Sequence, residues 1–154
     1  MQKEQVLLLR DTVQQFIRSF GLLEQTTTPC GFSMSLSQVF AIQELEKQSL
    51  TITELAEKLR LERSSVSRLV DGLVKGGFVS RELNENNRRE VIVELTEKGT
   101  NTIRRVRDQS VQFYNEILEN LSETEQMMFY EGIQRFTDSL MRVRGEQYES
   151  SPRT

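Results

Sequence analysis

A change of hydrophobic period at Gly76-Gly77 constrains this chain more than any other feature. Before the glycine pair, Val66, Leu69, Val70 and Leu73 recur at three- and four-residue steps, the spacing that gathers apolar side chains on one helix face. After it, Phe78-Val79-Ser80-Arg81-Glu82-Leu83 and Val91-Ile92-Val93-Glu94-Leu95 have the branched and aromatic content of strands, with the polar run Asn84 to Glu90 between them. Glycine tolerates the left-handed turn that stops a helix, so a helix ends at the pair and a hairpin with a charged tip follows. Upstream, Thr51-Ile52-Thr53-Glu54 matches the capping-box start signal ahead of Leu55, Ala56 and Leu59 and predicts a short helix ending near Arg60-Leu61. Two short helices in tight succession outline a helix-turn-helix, and the hairpin makes it winged.

The flanks are helical. Val6, Leu9, Val13, Phe16, Ile17 and Phe20 form a stripe on a helix from Lys3 to about Leu23, and Thr26-Thr27-Thr28-Pro29-Cys30-Gly31 reads as a loop. Ser35-Leu36-Ser37-Gln38 opens another helix, running to about Lys47. From Thr96 the helical period returns with Ile103, Val106, Phe113 and Ile117, and Ser122-Glu123-Thr124-Glu125 starts a last helix carrying Phe129, Ile133, Phe136, Leu140 and Val143. The predicted fold class is mainly α with a small β-hairpin wing. Its expected parts are an N-terminal dimerisation helix and loop over 1–30, a winged helix-turn-helix lobe over 31–99, C-terminal dimerisation helices over 100–144 and a flexible tail over 145–154. Apolar stripes on the terminal helices need a covering surface, and Val6, Leu9, Val13, Leu118, Leu121, Phe136, Leu140 and Val143 are its candidate members in a homodimer. Packing of the same stripes within one chain is the alternative.

Composition narrows the function. With 154 residues the chain is long enough to bury a core without disulfides or a structural metal. It has no histidine and one cysteine, which removes the usual zinc ligands, the usual general base and any internal disulfide; no catalytic residue, metal site or cofactor is expected. There is also no phosphate-binding glycine loop and no nucleophile elbow, so an enzyme is disfavoured. No stretch nears the roughly 20 apolar residues of a membrane span, and Val6 to Leu9 is too short for a signal peptide, so the expected location is the cytoplasm with no membrane partner. A net charge of -3 is unhelpful for a nucleic-acid binder, but its distribution is not. Between Arg63 and Arg89 six basic residues face three acidic ones, a net +3, which leaves -6 for the remainder.

If Val66, Leu69, Val70 and Leu73 face the core, Ser64, Ser65, Arg68, Asp71 and Lys75 lie on or near the opposite face of that helix. Small hydroxyls allow close approach to DNA, and an arginine can donate bidentately to guanine in the major groove. Arg63, Ser64, Ser65, Ser67, Arg68 and Lys75, with Arg88 and Arg89 at the hairpin tip, are therefore the candidate contacts to double-stranded DNA.

Leu55-Ala56-Glu57-Lys58-Leu59, Ser64-Ser65-Val66-Ser67-Arg68-Leu69-Val70-Asp71-Gly72-Leu73, Asn87-Arg88-Arg89 and Leu95-Thr96-Glu97-Lys98-Gly99 together resemble the MarR family of bacterial transcriptional regulators. The resemblance is densest from Thr53 to Gly99. It implies a homodimer on a pseudo-palindromic operator, usually as a repressor, with Arg89 in the minor groove and Arg88 on the backbone nearby. The family usually has an aspartate before the wing arginines; here Asn87 stands there, which brings into question the ion pair that braces the tip. The resemblance further implies a cleft for a small aromatic or phenolic effector, with Phe16, Phe20, Phe32, Phe40, Phe113 and Tyr114 as candidate lining residues, although aromatics at helical spacing are more often core. Some relatives sense oxidants through a cysteine. The flanks of Cys30 offer no cation to lower its pKa, so an ordinary thiol is expected. A winged-helix dimer that binds protein instead of DNA is the competing function.

Overall fold

Capping boxes start four of the helices. A computed structural model describes residues 1–145, in the order α1 (Lys3–Ser19), α2 (Leu36–Lys47), β1 (Leu50–Thr51), α3 (Ile52–Leu59), α4 (Arg63–Lys75), β2 (Val79–Asn84), β3 (Asn87–Leu95), α5 (Glu97–Leu118) and α6 (Glu123–Val143). Ser35 and Gln38 satisfy each other's backbone donors at α2, as do Thr51 and Glu54 at α3 and Ser122 and Glu125 at α6, and all three starts match the predicted ones. The fourth, Gln2 with Gln5 at α1, uses a glutamine that is not among the usual capping residues. α1 stops at Ser19, short of the predicted Leu23, because Gly21 takes φ +79° and the Leu22 N–H folds back to the Ile17 carbonyl. Apart from Gly145, the expected tail lies outside the described residues.

The three strands form one antiparallel sheet in the order β1-β3-β2. β1 is not legible in the sequence: two residues are too few to show alternation, and only the pairing of Leu50 with Val93 and Thr51 with Ile92 defines it. The hairpin is tighter than predicted, since both strands extend into the polar run and leave only Glu85 and Asn86 between them.

Two compact units are present, Met1–Val111 and Gln112–Thr154, with the division inside α5. The first holds the buried core: Val39, Ala41, Ile42 and Leu45 of α2, Leu50, Leu55, Ala56, Val66, Val70, Leu73, Val79, Val93, and Ile103 and Val106 of α5, closed at one edge by Met34. The predicted inner face of α4 is thus buried at Val66, Val70 and Leu73 and partly buried at Leu69. The second unit pairs the end of α5 with α6 through a short turn, where the Gln126 amide donates to the Leu118 and Leu121 carbonyls. Neither α1 nor α6 has a buried residue. Among the described residues, no helix is long and apolar enough to cross a membrane.

Where β3 hands over to α5, the chain grips the end of α4. The Thr96 hydroxyl donates to the Gly77 carbonyl at 2.6 Å, the Lys98 ammonium donates to the Gly76 carbonyl at 2.6 Å, and the Thr96 N–H donates to the Phe78 carbonyl at 3.1 Å. Gly99 is buried against this junction, and a Cβ there would fall on the Phe78 carbonyl oxygen. Because the obstacle is backbone, it has little room to yield. Gly99→Ala is expected to destabilise the chain by about 1–3 kcal/mol, read as a lower midpoint in urea unfolding; an unchanged midpoint would show that the junction yields.

Candidate nucleic-acid interface

The buried face of α4 determines what it offers to solvent. With Val66, Val70 and Leu73 held in the core, Arg63, Ser64, Arg68 and Lys75 are exposed or partly so, and Ser65 and Ser67 are half-buried. Glu62 precedes the helix without capping it through its side chain; its backbone carbonyl accepts the Val66 N–H, but its carboxylate accepts none of the first-turn N–H groups. The Gly77 backbone at φ +75° closes the other end, one residue beyond the cap position occupied by Gly76 at φ -74°.

Among the described residues, Arg63, Arg68, Lys75, Arg88 and Arg89 form no ion pair, whereas Arg81 does. Arg81 on β2 is bound to Asp71 on α4, tying the wing to the helix. Helical spacing places Asp71 on the solvated face but gives it no partner, since nothing in a ten-residue separation signals that β2 runs back past α4. This pair removes one cation and one anion together. The net +3 of the segment is therefore the balance of five cations that form no ion pair among the described residues against Glu82 and Glu85.

At the wing tip the register breaks. Asn84 faces Asn87 while Leu83 faces Val91, which leaves Arg88, Arg89 and Glu90 as a bulge outside the ladder. Three asparagines and a glutamate shape it. Asn84 Oδ1 accepts the Asn86 N–H, Asn87 Oδ1 accepts the Arg89 N–H at 3.2 Å, and Asn84 Nδ2 donates to Glu90 Oε2. Asn87 therefore supplies an acceptor to the arginine backbone, which needs no negative charge. Between tip and helices lies a cleft of about 160 Å³ lined by Thr51, Ile52, Thr53, Arg63, Ser67, Arg89, Glu90 and Val91.

The other sequence candidates fall elsewhere. Val6 and Leu9 of α1 and Phe136, Leu140 and Val143 of α6 are exposed, while Val13, Leu118 and Leu121 are half-buried. Of the aromatics, Phe16 stacks on Phe20 at 5.0 Å, Phe113 meets Tyr114 edge-on at 5.8 Å, and Phe32 packs on the core beneath the Arg105 guanidinium. Phe40 is exposed. Cys30 is half-buried, its Sγ lying 3.1 Å from Thr28 Oγ1 and 3.5 Å from Ser110 Oγ. Burial pushes this thiol's pKa up, but hydrogen bonds with Ser110 and Thr28 and with the backbone at Phe32 and Cys30 outweigh it and hold the thiol below its ordinary value. The expectation of an ordinary thiol misses this because Ser110 is remote along the chain.

This geometry has relatives. The family model described as MarR family matches residues 34–91, from the edge of the core to the wing. The chain is 32% identical over 114 residues to the HTH-type transcriptional regulator YfiV of Bacillus subtilis, a match covering 73% of this chain and 71% of that one. It is 31% identical over 80 residues to the HTH-type transcriptional repressor YetL of the same organism, spanning only 52% of this chain and 48% of YetL. Among solved structures, the PcaV transcriptional regulator of Streptomyces coelicolor shares the fold with a TM-score of 0.68 at 21% identity, covering 86% of this chain and 94% of PcaV. PcaV in complex with its natural ligand matches with a TM-score of 0.63, again at 21% identity, over 86% and 91%.

The thiol environment has a measurable consequence. The rate of Cys30 alkylation by iodoacetamide is expected to level off at a lower pH than for a free thiol, since the thiolate forms earlier. Ser110→Ala is expected to move that plateau to higher pH; a profile indifferent to Ser110 would remove the hydroxyl from the account.

Proposed function

Because this chain belongs to the MarR family of transcriptional regulators, we propose that it acts as a homodimeric repressor on a pseudo-palindromic operator and that a small aromatic or phenolic ligand releases it. The observation that carries the DNA-binding surface is the set of cations in no ion pair among the described residues, Arg63, Arg68 and Lys75 on α4 with Arg88 and Arg89 on the bulged wing. In this reading α4 enters the major groove. Arg68 reads a base edge, Ser64, Ser65 and Ser67 allow the close approach, and the wing grips the flank.

The uncovered stripes of α1 and α6 support the homodimer. Val6, Leu9, Phe136, Leu140 and Val143 are exposed apolar side chains on helices in which no described residue is fully buried, and a second copy offers the same stripes in return. Two α4 helices about one turn of DNA apart, roughly 34 Å, then read two half-sites. YetL's name supports the repressor sense and the PcaV complex supports a ligand, with Phe16, Phe20, Phe32, Phe40, Phe113 and Tyr114 as the candidate aromatic residues. A ligand that favours a different separation of the two α4 helices weakens binding by differential affinity for the two arrangements. The place of action is the cytoplasm, where the DNA is.

Fluorescence anisotropy against the DNA upstream of the chain's own gene and a scrambled duplex, across a salt series, tests the reading. Preferential binding with a steep salt dependence is expected; absence of binding to both duplexes by an intact dimer favours a protein-interaction role. Arg68→Ala is expected to cost about 1 to 3 kcal/mol on the preferred site and to relax specificity there, so an equal loss on every duplex would deny it base readout. Leu140→Glu places a charge in the proposed dimer stripe and is expected to yield a monomer by sedimentation, with operator affinity lost alongside; a dimer that survives would move the interface elsewhere.

A further inference from the structure

Five of the described residues hold a positive φ, and four of them are glycines. The fifth is Arg60, at φ +55° and ψ +43°, in the turn between α3 and α4. Its backbone closes α3 in the way a glycine usually does. The Arg60 N–H donates to the Glu57 carbonyl at 3.2 Å, and the Leu61 N–H reaches back to the Ala56 carbonyl at 3.1 Å. In this left-handed region a Cβ crowds the following carbonyl oxygen, so arginine is a costly residue at a position where glycine meets no such penalty.

Packing does not offset that cost. Arg60 is exposed, as are Lys58 before it and Leu61 and Glu62 after it, so its side chain fills no interior space. A cation suits the negative end of the α3 dipole, but Lys58 already supplies one in the last turn of that helix. What distinguishes Arg60 is its place. It stands three residues ahead of Arg63, where α4 begins, so at most roughly 11 Å separates their Cα atoms. With α4 lying in the major groove, the turn that leads into it lies at the margin of the groove, where the sugar–phosphate strand runs. A guanidinium there is permanently charged and donates through several N–H groups, which suits phosphate oxygens.

We infer that Arg60 is a further DNA-contacting residue, donating to a backbone phosphate from the turn between α3 and α4, and that this contact offsets the strain of its left-handed backbone. The inference rests on the proposed DNA-binding function. It extends the cationic surface from α4 and the wing to the turn ahead of α4, so the helix is held to DNA before its first residue as well as along its length. A phosphate contact of this kind positions the helix and carries no sequence information.

The probes are a duplex selected from random sequence by the wild-type protein and a scrambled duplex, titrated by anisotropy over a salt series, with urea unfolding of every variant in parallel. Arg60→Gly removes the charge and the strain together. Its unfolding midpoint is expected at or above that of the wild type. Its affinity is expected to fall by about fivefold per subunit on both duplexes, and the slope of log affinity against log salt to shrink by about one per subunit. Arg60→Asn, which tolerates the left-handed region without a charge, is expected to repeat that loss. Arg60→Lys is expected to keep the salt slope, because a phosphate accepts a point charge. A lower midpoint for Arg60→Gly makes the residue structural and overturns the inference, as does an unchanged salt slope or a loss confined to the selected duplex. Failure of the wild type to select any duplex sinks the DNA reading itself, an outcome distinct from variants that bind as the wild type does.

Discussion

Five carbonyl oxygens at and just beyond the C-terminal end of α4 are spoken for, and the orientation of its cationic face depends on them. Those of Gly72, Leu73 and Val74 accept the N–H groups of Gly76, Phe78 and Gly77, and those of Gly76 and Gly77 accept from Lys98 and Thr96. A helix end normally leaves its last carbonyls to water; here the residues just past α4 take up those of Gly72, Leu73 and Val74, and the chain's return from the sheet takes up those of Gly76 and Gly77. Lys98 adds charge in the right sense, with its ammonium at the negative end of the α4 dipole and 4.6 Å from the centre of the Phe78 ring. α4 thus cannot rotate about its axis without breaking bonds to the start of α5, and its cationic side stays outward.

That arrangement explains how an acidic chain presents a basic face. On α4 and the wing Asp71 is bound to Arg81 and Glu90 is hydrogen-bonded to Asn84, which leaves the exposed Glu82 and Glu85 against five cations that form no ion pair among the described residues. Ion pairs this exposed contribute little to stability. Their effect here is geometric: the Asp71–Arg81 pair holds β2 against α4, so the bulge beyond it carries Arg88 and Arg89 in a set relation to Arg63 and Arg68. Asn87 completes the wing with an amide oxygen in place of a carboxylate, which keeps the tip more positive than the usual aspartate would.

The apolar surface is organised by a different rule. The core of the first unit is saturated by α2, α3, α4, the sheet and the first half of α5. Among the described residues, Val6 and Leu9 of α1 and Phe136, Leu140 and Val143 of α6 stay exposed, while Val13 and Ile17 of α1 are half-buried.

Much of this was legible in the residues. Capping boxes at Ser35, Thr51 and Ser122 placed three helix starts, because those bonds are local and need only the spacing of two side chains. Gly76-Gly77 and the switch from a period near 3.6 to one of 2 placed the helix end and the wing. The inner face of α4 followed from Val66, Val70 and Leu73. Contacts between distant positions were invisible: the β1 pairing of Leu50 with Val93, the Asp71–Arg81 bond, the hydroxyls about Cys30 and the meeting of Arg63 with Arg89 in one cleft. Local hydrogen bonds and periodic burial are written in neighbouring residues, so the sequence determined the elements and the family. Which charged groups neutralise one another and which remain free depends on through-space distance, and only the tertiary structure decided that.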